Sequence, residues 1–137
     1  MSNSDIAQLQ AKLVEVAIKG TSLPGMDRDL SFPDLQAVRQ SPVKYVSSDH
    51  LAMPHALGDQ AEVFAEEQVR DKASTLGPFA YLRFQKPTEQ NDQITLSLQL
   101  MTGFDDVDPL ALGAIVATFA KRGEDWIAVE PTHVLAY

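Results

Sequence analysis

Three histidines, His50, His55 and His133, are the side chains of this sequence best suited to move a proton near neutral pH or to ligate a metal. His50 and His55 stand five residues apart in an irregular stretch, Ser47 to Gly58, with Asp49 beside the first. Two imidazoles and a carboxylate would form a metal triad if His133 or another acid joined them. The spacing matches neither the i,i+4 pair of a helical zinc site nor another metal signature, so ordinary loop histidines are expected and no metal. Asp105, Asp106 and Asp108 form the densest acidic group. They lack the spacing of a calcium loop and its closing glutamate, and Pro109 marks a turn there. The chain has no cysteine, which excludes disulfides, thiolate chemistry and cysteine-based zinc sites. None of its seven glycines falls in G-x-G-x-x-G or G-x-x-x-x-G-K, and no G-x-S-x-G occurs. No catalytic residue is assigned and no cofactor is expected.

A ligand pocket is the other place where these side chains could act. A sheet capped by helices often leaves an apolar pocket at its open end, with a few polar groups in the wall. Tyr45, Asp49, His50, His55, Tyr81, Trp126 and His133 are the candidate ligand-binding residues, with Met53 among them. Asp49 and His50 would be an acid–base pair in such a pocket. Plain packing is the simpler account of Trp126, Tyr81 and the methionines.

The elements that must position these residues are legible from hydrophobic period. From Gln93 to Leu100 apolar and polar residues alternate, so Ile94, Leu96, Leu98 and Leu100 share one face of a strand. The rest of the chain reads as what pairs with this strand or covers its apolar face. Asp5 to Lys19 is an amphipathic helix, with Ile6, Leu9, Leu13, Val16 and Ala17 on one stripe and Gly20 suited to its end. A loop follows to Pro33, then a short helix to about Gln40, stopped by Pro42. Val43 to Val46 is a short strand. Asp59 with Glu62 resembles a capping box, and Ala61, Phe64, Ala65, Val69, Ala73 and Leu76 continue as a helical stripe to Gly77-Pro78, with Glu66 and Arg70 as an i,i+4 pair. A strand from Ala61 to Arg70 is the competing assignment. From Phe79 the chain reads as a meander: Phe79 to Gln85, the alternating strand, Leu110 to Lys121, and Trp126 to Glu130 continued past Pro131 by His133 to Tyr137. Arg122-Gly123-Glu124-Asp125 is a hairpin turn.

Helices first and closely connected strands last predict an α+β domain spanning residues 1–137: N-terminal helices packed on a curved, four- to five-stranded antiparallel meander sheet. This order is similar to the cystatin-like and nuclear-transport-factor-2-like architectures; the likeness is of element order alone and implies no functional residue. In the third meander strand Ile115, Ala117 and Phe119 alternate with Ala114, Val116, Thr118 and Ala120, so both faces are apolar or small. A homodimer packed through the sheet face would account for that.

Bulk composition narrows the partners. The 137 residues carry 19 acidic and 11 basic side chains, a net charge of −8. Such a surface repels phosphate backbones and anionic lipid, so neither nucleic acid nor membrane is expected as a partner. Solubility explains the acidity, and a basic partner is the sharper explanation. The opening Met1-Ser2-Asn3-Ser4-Asp5 has no basic region and no long apolar run after it, which reads as no signal peptide and a cytoplasmic location. The function these features favour is a non-enzymatic module that binds a protein or a small ligand. The alternative is a small cofactor-independent lyase, isomerase or hydrolase with His50 or His133 as general base.

Overall fold

The computed structural model describes residues 3–137. Met1 and Ser2, the start of the stretch read for a leader, lie outside the described residues. Helix α1, Asn3–Lys19, leads the chain and α2, Leu35–Gln40, follows. Strand β1, Tyr45–Ser47, and strand β2, Glu62–Phe64, flank a 3₁₀ segment at Pro54–Gln60. A 3₁₀ turn at Glu66–Gln68 leads into α3, Val69–Leu76. Strands β3, Phe79–Phe84, β4, Thr88–Gln90, β5, Gln93–Gly103, β6, Leu110–Arg122, and β7, Asp125–Ala136, complete the chain.

These strands form one open, mixed sheet of seven strands in the order β2-β1-β3-β5-β6-β7, with β4 folded back on β5. The expected α+β class holds. The expected purely antiparallel sheet of four to five strands does not. The meander β3-β5-β6-β7 is antiparallel, but β1 runs parallel to both β2 and β3. Parallel neighbours need a crossover, and the segment from β2 through α3 to β3 supplies it by passing over β1. The helix expected from Asp59 to Leu76 is corrected for the same reason. Its first half gives up helical bonding so that Glu62, Val63 and Phe64 can pair with Tyr45, Val46 and Ser47. Only Val69–Leu76 remains helical.

The alternating strand sits in the middle of the sheet, and its period divides the two faces. Ile94, Leu96, Leu98 and Leu100 point to the α1 side with Leu82, Phe84, Ile115, Ala117 and Phe119, all buried. Leu13, Val16 and Ala17 of α1 pack onto them. Leu13, Leu96 and Leu98 are at most 1% exposed, so apolar side chains fill the space between this face and α1. Burying one such side chain stabilises the fold by about 1.5–3 kcal/mol.

The opposite face carries a smaller cluster at the β3 end. Val69 and Ala73 of α3 cover Phe64, Phe79, Tyr81 and Met101 there. Gly103 is required at this spot, because a Cβ would lie 2.7 Å from Val69 Cγ1 and 2.8 Å from Phe79 Cε1. At the far edge, β7 is held by the loop after α1: Ala128 N donates to Pro24 O at 2.7 Å, and the Arg28 guanidinium donates to Thr132 O. Such contacts blunt an edge that would otherwise offer a free ladder.

Candidate functional site

The carboxyl ends of β1, β2 and β3 point the same way, and the chain leaves the neighbours β1 and β3 in opposite directions, toward β2 from the first and toward β5 from the second. Open sheets commonly bind ligands at such a point, because the loops part there. Glu66 follows β2, Asp49 follows β1, and Arg83 lies near the end of β3. Tyr81 and Arg83 share one face of β3, and Arg83 pairs across the ladder with Gln99 of β5.

These side chains form a connected polar network. Tyr81 Oη donates to Glu66 Oε1 at 2.8 Å, and Arg83 Nη1 donates to the same oxygen at 2.8 Å. Arg83 Nε and Nη2 both donate to Gln99 Oε1, at 3.3 and 3.1 Å. The guanidinium is thus fixed from two sides. Glu66 Oε2 is buried without a hydrogen-bond partner among the described residues. The Tyr81 ring is fully buried, and its hydroxyl ionises far above the ordinary phenol range. Burial is the first cause, followed by the hydrogen bond to Glu66 and that carboxylate's charge; Arg83 pulls the other way, and Asp49 adds a smaller push upward.

Next to the network lies an aromatic cluster. Tyr45 meets Phe79 edge-on at 5.5 Å between centroids, and Phe64 meets Tyr81 edge-on at 5.3 Å. These are favourable aromatic geometries. Tyr45 and Tyr81, singled out from the sequence, therefore belong to one cluster, and Asp49 is near enough to act on Tyr81.

The other candidates do not join it: no hydrogen bond, ion pair or ring contact links their side chains to the cluster among the described residues. His50 is exposed, with φ +58°, and its carbonyl accepts from Gln10 Nε2 at 2.8 Å. His55 is exposed in the 3₁₀ segment. Trp126 packs on the α1-side core, and its buried indole Nε1 has no hydrogen-bond partner among the described residues. His133 is exposed on β7, opposite Val116. Asp105 and Asp106 are exposed between β5 and β6, and Asp108 pairs with Arg70 at 3.2 Å. Among the described residues, no three His, Asp or Glu side chains gather in a metal-holding group.

Sequence reasoning missed Glu66, Arg83 and Gln99. Glu66 reads locally as the partner of Arg70, but it sits in a 3₁₀ turn ahead of α3 and turns to Arg83 instead. The available signal was the alternation Phe79, Tyr81, Arg83, which puts a charge on the same face as two aromatics. The network can hold a guanidinium rigid at the sheet surface. It cannot offer the Tyr81 hydroxyl to a substrate, because the hydroxyl is buried and engaged. Comparison of the chain with protein-family models, curated proteins and solved structures gives no significant match.

Proposed function

We propose that this chain is a non-enzymatic binding domain whose working surface is the second sheet face of β5, β6 and β7, and that this face packs on a second copy of the chain. The observation that carries the reading is the make-up of that face. Across the ladders it presents Gln93, Thr95, Ser97 and Gln99, then Ala114, Val116, Thr118 and Ala120, then Ile127, Val129, His133 and Leu135. Along these ladders the face carries a carboxylate only at the hairpin end, where Asp125 is paired with Arg122, in a chain with 19 acidic residues. Two acidic molecules can bring this face together without opposing like charges. Val116, Ile127 and Val129 are half-exposed and Leu135 is exposed, around the buried small residues Ala114, Thr118 and Ala120. Arg83, clamped by Glu66 and Gln99, borders this surface and gives it a fixed polar edge.

The histidine-base alternative finds less support. His50, His55 and His133 are all exposed, and none hydrogen-bonds a carboxylate among the described residues.

Sedimentation equilibrium in the micromolar range tests the proposal. The wild-type chain is expected to sediment as a dimer. Val116→Asp and His133→Glu, which place like charges across the two-fold contact, are expected to sediment as monomers that keep the far-ultraviolet circular dichroism of the wild type. A monomeric wild-type chain, or dimers that persist in both variants, would discard this surface as the contact.

A further inference from the structure

A groove of about 360 Å³ runs between α3 and the β1–β2 edge, lined by Tyr45, Glu62, Asp71, Lys72 and Leu76 among others. Tyr45 and Glu62 are directly paired across the parallel ladder, so their side chains rise on the same face, under α3. The Lys72 ammonium lies 5.1 Å from the centroid of the Tyr45 ring and 5.6 Å from that of Phe64. The same ammonium is 2.7 Å from Glu62 Oε2. Two aromatic faces and a carboxylate around one point hold a cation well, and here the protein's own lysine occupies that point. The Lys72 stem is long and freely rotating, and its side chain is 26% exposed, so it can swing out without disturbing α3. Asp71 also lines the groove, and its carboxylate makes no hydrogen bond or ion pair among the described residues. One carboxylate, Glu62, thus holds the ammonium, and a second, unengaged acidic residue, Asp71, lines the same groove. Leu76, 49% exposed, adds an apolar wall.

We propose that this groove binds a primary amine on an aliphatic stem. The ligand's ammonium takes the place of Lys72 over Tyr45 and against Glu62, and its stem lies along Leu76. Lys72 is then a built-in competitor that lowers the affinity of the wild-type site. The same chemistry fits a free alkylamine and a lysine side chain presented by a partner. This site is separate from the β5–β7 face, so it stands whether or not the chain dimerises.

The test is an amide chemical-shift titration of the full chain with Nα-acetyl-lysine amide, with pentylammonium, and with Nα-acetyl-norleucine amide, which lacks the charge. Saturable shifts at Tyr45, Glu62, Asp71 and Lys72 are expected with both amines and not with the norleucine compound. Lys72→Met keeps the stem, removes the competing charge and is expected to bind either amine about tenfold more tightly. Asp71→Asn, at an exposed position, is expected to weaken binding several-fold with an otherwise unchanged spectrum. Tighter binding of the lysine amide assigns the ligand to a partner's side chain; equal or tighter binding of pentylammonium assigns it to a free amine. Equal shifts with the norleucine compound, or no gain in Lys72→Met, would overturn the proposal.

Discussion

Tyr81 shows how a candidate ligand-binding residue is committed to structure. Its hydroxyl is buried and donates to a carboxylate that also receives Arg83. The phenol ionises far above its ordinary value of 10.0, first because of burial and then because of Glu66. The sign of the consequence follows. The folded state keeps its proton where the unfolded chain begins to lose it, so the Tyr81 contribution is complete below about pH 10 and is lost as pH rises beyond that. Relative to Tyr81→Phe, which has no proton to lose, the wild-type chain is expected to lose about 1.4 kcal/mol of stability per pH unit above about pH 10. Urea unfolding of both proteins at pH 9 and above pH 10 reads this difference, and the remaining titrating groups cancel between them. Parallel pH dependence in the two proteins would show that the hydroxyl is not protected as described.

At the scale of elements, the loop after β1 depends on one buried side chain of α1. Gln10 is 1% exposed; its Nε2 donates to His50 O at 2.8 Å, and its Oε1 accepts from Ala52 N at 2.9 Å. Replacing it with alanine leaves both backbone groups without these partners, and a lost buried partner typically costs about 1–3 kcal/mol. Gln10→Ala is therefore expected to speed amide exchange around Ala52 while β5 amides stay protected. Uniform acceleration across the sheet would mean that Gln10 supports the whole core and not this loop. The same segment shows where sequence reading stops. α1 and the four meander strands are legible because their periodicity is local and long: Ile94 to Leu100 can face a core in only one way. β1 and β2 have three residues each, too few to show a period. Their parallel pairing is decided by contacts far apart in the chain, and it overrides a helical pattern that Ala61, Phe64 and Ala65 mimic by spacing alone. The candidate site suffered from the same gap. Tyr45, Asp49 and Tyr81 were found from residue type, but Glu66, Arg83 and Gln99 become partners only once the register of β3 on β5 and the crossover through α3 are known.

At the scale of the whole molecule, one sheet separates two apolar clusters of unequal size. The larger lies between the sheet and α1; the smaller lies under α3. They are not independent, because alternate residues of the same strands enter each. Leu82 and Phe84 of β3 belong to the first, Phe79 and Tyr81 to the second. Loss of the α3 side should therefore be felt on the α1 side. Phe64, 5% exposed, is the probe: its ring contacts Tyr45, Phe79 and Tyr81. Phe64→Ala removes a large buried side chain, a change that costs about 3–5 kcal/mol in a packed core. The chain's one tryptophan, Trp126, packs against the other cluster and reports on it by fluorescence. If the sheet couples the two, fluorescence and far-ultraviolet circular dichroism will give the same urea midpoint in the variant, both shifted down together from the wild type. A variant whose Trp126 midpoint stays at the wild-type value while circular dichroism shows an earlier step would mean that α3 and the β1–β2 edge unfold on their own. The sheet would then be a stable meander carrying a separable crossover.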